Sequence, residues 1–120
     1  VLESSYPAGT KVPVKLHNSG RRTYVFNPFY QACDMTYLDE SGRDFLVPEG
    51  THCDLISWEE IAPGDTVTLF KWDLDECTKD EWGCMEEEPL GPGRYTIRGR
   101  FRPAGEGEPA RVRATFTITG

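Results

Sequence analysis

A chain of 120 residues with 38% hydrophobic and 28% charged side chains has the size and composition of one folded domain rather than a disordered segment. Its apolar runs all fall well short of the ~20 residues that a helix needs to cross a bilayer, so no membrane span is expected. The net charge of −7 resides entirely in Asp73–Glu88, "DLDECTKDEWGCMEEE", whose eight carboxylates face one lysine, while the remaining acids and bases cancel. That segment repels polyanions and no clustered basic stripe is evident to offset it, so nucleic acid is not an expected partner.

In chain order the dominant period is two, the signature of half-buried strands. The opening "VLESSYPAGT" has neither a Met nor a basic-then-apolar leader. It reads as the start of a processed or trimmed protein, and as either a frayed end or a strand donated to a neighbouring copy. "KVPVKLH" sets Val12, Val14 and Leu16 against Lys11 and Lys15, and Pro13 places this strand at a sheet edge. "HNSGRR" turns the chain into "TYVFN". "ACDMTYLD", the turn "ESGR" and the short run "DFLVP" follow, then the less regular "EGTHCDLISWEE".

Pro63-Gly64 leads into "DTVTLFKWDL", which is apolar on both faces near its end and so implies that a neighbouring loop covers it there. After the acidic segment, Pro92-Gly93 opens a strand with Tyr95, Ile97 and Gly99 on one face and Arg94, Arg98 and Arg100 on the other. "PAGEGEPA" turns into a last strand that points Val112, Ala114, Phe116 and Ile118 inward. No segment carries a sustained helical period. Seven to eight short strands, punctuated about every 8–12 residues by Gly/Pro turns, predict an all-β, antiparallel immunoglobulin-like β-sandwich, with a small closed barrel as the alternative. One domain over residues 1–120 is expected, with an acidic insertion loop at 73–91.

Cys33, Cys53, Cys77 and Cys84 allow three pairings. Cys33–Cys53 and Cys77–Cys84 are the expected ones, since each closes a loop between neighbouring elements. On the chain-entropy estimate a loop of ~20 residues contributes ~3 kcal/mol and a shorter one somewhat less. No spacing is that of a zinc site, and paired cysteines imply an oxidising compartment: extracellular, periplasmic or cell-surface. His17 and His52 lie near no recognisable nucleophile motif, no phosphate-cradling glycine loop is present, and no catalytic residue or cofactor is expected.

For the acidic segment three readings remain open. Asp73 and Asp75, with Asp80 or Glu81, offer oxygens to calcium, although the EF-hand pattern is absent and this reading is not favoured. Trp82, flanked by Glu81 and close to Asp80 within a Cys77–Cys84 ring, suits a rigid anchor that binds a protein. In the plainest reading Trp82 folds back and the acids are solvated charge. "RGRFR" at Arg98–Arg102 alternates basic side chains that could meet these acids in the same chain or in a second copy. The aromatic corner of Phe26, Phe29, Tyr30 and Tyr37 is better explained by packing than by sugar binding.

"HNSG", "TYVFNP", "CDMTYLDESGR", "APGDTVTLFKWDL" and "GPGRYTIRGRF", in that order, resemble the BsuPI-type intracellular proteinase inhibitor family. The resemblance implies an immunoglobulin-like sandwich and a protein partner such as a protease. Two features depart from it: four cysteines in place of an intracellular composition, and the acidic insertion between the two best-matching strands. No reactive-site loop is identifiable. The expected function is that of an exported, non-catalytic protein-binding domain, for which the resemblance implies a proteinase-inhibitor-like role. The alternative is a structural subunit whose copies join by strand addition.

Overall fold

The computed structural model describes residues 4–27, 34–47, 58–80 and 83–120, with 78–80 and 83–85 in backbone only. These residues form strands and no helix. In order they are β1 (Ser4–Pro7), β2 (Val12–His17), β3 (Tyr24–Phe26), β4 (Met35–Leu38), β5 (Asp44–Phe45), β6 (Glu59–Ile61), β7 (Thr66–Trp72), β8 (Asp75–Asp80), β9 (Gly83–Pro89), β10 (Gly93–Pro103) and β11 (Ala110–Thr119).

The long strand β10 organises the larger sheet. It pairs antiparallel with β11 along Gly93–Phe101. Its other edge is shared, Thr96–Gly99 meeting β4 and Arg102–Pro103 meeting β3. β5 continues the sheet beyond β4, β6 beyond β3, and β1 lies parallel to the end of β11. β2 and β7 form a separate two-stranded ribbon, and β8 and β9 a hairpin. The ribbon shares a core with the inner face of the large sheet, so the molecule is an all-β sandwich.

Trp72, 1% exposed, is the centre of that core. Its ring lies 5.6 Å from Tyr37, 5.7 Å from Phe116 and 6.4 Å from Phe45. Burying a large apolar side chain contributes about 1.5–3 kcal/mol, and edge-to-face rings add to it. Val12, Val47, Leu74, Leu90, Tyr95 and Ile118 complete this cluster, while Phe26, Ile61 and Phe101 form a second one under Leu16, Val67 and Leu69.

The doubly apolar end of β7 has a cause other than a covering loop. Val14 pairs with Phe70, but Lys15 pairs with Thr68, so Leu69 is an extra residue in the ladder. A bulge of this kind shifts the alternation by one. Val67 therefore faces inward on one side of it, and Phe70 and Trp72 on the other.

Three further expectations are corrected. The segment 73–91 is largely a hairpin rather than a loop, and with β1 and β6 it takes the strands beyond the seven or eight expected. Ser4–Pro7 is engaged with β11 of its own chain, so that part of the opening segment is not a free donor. Val112 and Ala114 share the inward side with Phe116 and Ile118, but both are exposed, Val112 by 46%. Val112 packs across Gly99 and borders an apolar recess of about 200 Å³ with Leu16, Ile61 and Phe101.

Candidate functional site

The acidic segment is anchored before it is displayed. Between β7 and β8 the chain reverses at Leu74, which takes a left-handed conformation (φ 57°). That conformation costs a non-glycine residue about 1–2 kcal/mol. Leu74 is 1% exposed, and burying a leucine contributes about 1.5–3 kcal/mol, so the turn is held by the core. The Leu90 N–H donates to the Leu74 carbonyl at 2.9 Å and closes the base of the hairpin. Leu90 enters the same core. The Trp72 indole N–H reaches the Asp75 carbonyl at 3.0 Å and its carboxylate at 3.1 Å. Burial, and then the neighbouring charge of Glu87, push the Asp75 carboxyl above its ordinary pKa.

A second fastening joins the hairpin to the large sheet. The Cys77 N–H donates to the Leu46 carbonyl at 2.7 Å, setting β8 beside the end of β5. Arg43, in the β4–β5 turn, bonds Asp39 at 3.0 Å and reaches Glu76 at 3.4 Å. Asp39 also accepts from the Ser41 hydroxyl, its strongest influence, and from the Ser41 and Arg43 N–H groups. Together these lower its pKa. Beyond these anchors Glu86, Glu87 and Glu88 are exposed on β9.

Of the residues singled out in the sequence, Asp80 closes the described part of the hairpin, opposite Gly83. Glu81 and Trp82 lie outside the described residues, as do Cys33, Cys53 and His52, and also Phe29 and Tyr30 of the aromatic corner. Cys77 is buried and disulfide-bonded. No disulfide has both of its cysteines among the described side chains. The backbone register places Cys84 opposite Lys79, two residues along from Cys77.

Of the oxygen donors in the calcium reading, Asp73 lies 3.7 Å from Lys11 and Asp75 accepts from the Trp72 indole. Among the described residues no three metal-type side chains converge. His17 Nδ1 lies 2.7 Å from the Thr66 hydroxyl in an exposed position. A nucleophile of this kind needs its base oriented by a third group, and no such group is found among the described residues.

One feature was legible only in part in the linear sequence, through "RGRFR" at Arg98–Arg102. The expectation of no clustered basic stripe is corrected by the β10–β11 pairing, which sets Arg98 directly opposite Arg113 and Arg100 opposite Arg111. All four side chains lie on the outward face, around a shallow recess of about 370 Å³ that Asp34 and Thr36 border. Burial raises the Asp34 pKa, against the opposing effects of the Asn27 N–H and Arg102. Arg102 continues the row and lies 4.6 Å from the centre of the Trp58 ring. The signal was available: "RGR" and "RVR" occur on strands that a short hairpin connection makes neighbours. No family model, no curated protein and no solved structure matches the chain.

Proposed function

We propose that this chain is a non-catalytic protein-binding module of immunoglobulin-like architecture, exported to an oxidising compartment, with the β8–β9 hairpin as its binding element. The observation that carries this reading is the hairpin itself. Its base is rooted in the core through Leu74, Leu90 and Cys77, while Glu86, Glu87 and Glu88 are held exposed. A rigid element binds at lower entropic cost than a free loop, because less order has to be imposed on contact.

Two features support the immunoglobulin-like assignment. Tyr95, near the start of β10, donates its hydroxyl to the Gly91 carbonyl at 2.8 Å, as in a tyrosine corner. Pairing of β1 with β11 and of β2 with β7 fits the same scheme. The Cys33–Cys53 and Cys77–Cys84 pairings, and Trp82 with Glu81 and Asp80 as the recognition tip, belong to this reading.

A proteinase-inhibitor-like role is tested with a panel of proteases. At least one protease should be slowed in proportion to added protein, and the effect should weaken by about tenfold or more when Glu86, Glu87 and Glu88 are changed together to Gln. Equal inhibition by both proteins would remove the hairpin from the role, and no inhibition of any protease would remove the inhibitor reading. The second reading, a structural subunit, is favoured by the complementary charge of the hairpin and the arginine face. With Ser4–Pro7 already paired at home, charge complementarity replaces strand addition by that segment as the means of joining.

A further inference from the structure

We infer that the arginine face of β10–β11 is a docking surface for the acidic β8–β9 hairpin of a second copy of this chain. The inference rests on the reading of the hairpin as a binding element and names its partner.

Like charges set directly opposite each other on a sheet destabilise the pair. Here two such pairs are adjacent, Arg98 with Arg113 and Arg100 with Arg111. Among the described residues none of the four has a carboxylate within ion-pair distance, unlike Lys11 and Arg43. The hairpin carries charge of the opposite sign, although Glu76 is met by Arg43 at 3.4 Å. Glu76 faces Glu88 across the ladder, and Glu86 and Glu87 extend the acidic surface. Each surface is repulsive within itself and complementary to the other.

The two surfaces cannot neutralise each other within one chain. The hairpin runs on into the start of β10 through Leu90, but at the level of Arg98 it meets the large sheet beside β5, so β4 and β5 intervene between it and the arginine pairs. Three strand spacings amount to about 14 Å. At physiological ionic strength the Debye length is ~8 Å, so attraction over that distance is largely screened. A second copy brings the charges into contact instead.

Charge distribution favours a second copy over an outside polyanion. The hairpin segment carries the whole net charge of −7, so a nucleic acid or sulfated chain tracking the face would also approach that charge. A second copy presents its acids on one narrow element and is neutral elsewhere. Two copies related by a two-fold axis would satisfy both contacts at once, and a head-to-tail arrangement would extend into a chain.

The test is sedimentation of the intact protein over a range of concentration, at an ionic strength of about 0.01 M and again at about 1 M, where the Debye lengths are ~30 Å and ~3 Å. The wild type should associate at the low value and dissociate at the high one. Arg98→Glu with Arg113→Glu in one protein, and Glu87→Lys with Glu88→Lys in another, should each be monomeric alone. An equimolar mixture of the two should associate, because each altered surface then meets its new complement. Thermal unfolding of Arg113→Thr provides a check on folding: it should stabilise the monomer by relieving the Arg98 contact, while weakening association.

A wild type that stays monomeric at low ionic strength overturns the inference and leaves the protease assay to judge the proposed function by itself. Association that persists in the Glu87/Glu88 variant overturns both the inference and the hairpin's role. A monomer that binds heparin or nucleic acid through the arginines assigns the face to an outside polyanion and also overturns the inference.

Discussion

Asn18 is a buried polar residue whose loss should cost the fold heavily. It lies at the turn after β2. Its Nδ2 donates to the Arg22 carbonyl at 2.7 Å and to the Ile61 carbonyl at 2.9 Å, and its Oδ1 accepts from the Gly20 N–H at 3.0 Å. One side chain thus shapes the β2–β3 turn and ties it to the end of β6. Asn18→Ala removes three hydrogen bonds at about 1 kcal/mol each and leaves the buried Ile61 carbonyl short of a donor, so a loss of about 3 kcal/mol is expected. For a domain of this size that is roughly a 12 °C fall in Tm. Urea unfolding should show a lower midpoint with an unchanged slope, since the surface exposed on unfolding is nearly the same. Asn18→Asp separates donor from acceptor: it keeps the contact with Gly20 but turns an anionic oxygen toward two carbonyls. It should therefore be most destabilised at neutral pH and recover partly in acid. A cost below about 1 kcal/mol for Asn18→Ala would refute the argument that this side chain locks the two turns.

Two further changes probe the hairpin base and the centre of the sheet. Asp75 has a raised folded pKa, so its charged form opposes folding, and that cost appears as pH rises from the ordinary value of 3.8 through the folded pKa. Asp75→Asn keeps an acceptor for the Trp72 indole and removes the charge. It should raise the Tm at pH 7 and lose that advantage below about pH 4; an advantage independent of pH would refute the assignment. At Gly99 an added methyl would lie 2.6 Å from a Phe101 ring carbon and 2.8 Å from the Val112 side chain. Gly99→Ala should cost about 1–3 kcal/mol in urea unfolding, and Val112→Ala in the same chain should restore part of it.

The sequence by itself determined the strand grammar and therefore the fold class. Alternation at Val12, Val14 and Leu16, or at Tyr95, Ile97 and Gly99, survives into the structure because a strand's side chains must alternate whatever lies across from them. Pro13 marked an edge strand correctly, since it cannot donate to a ladder, and β2 does lie at the edge of its ribbon. The acidic run was legible as a chemical oddity but not as strand. Glu and Asp are poor strand formers, and the hairpin is held by Leu74, Cys77 and Leu90, whose partners lie far away in sequence.

Other features depended on pairing between distant segments. Register alone decided that Leu69 is an extra residue in β7 and that Val112, on an inward side, has no cover. The arginine face was decided in the same way. The alternating bases of "RGRFR" were legible along the chain, but only the register of β10 against β11 joins them to Arg111 and Arg113 in one surface of four facing charges. Periodicity is local and can be read from composition and order, whereas what faces what depends on tertiary pairing.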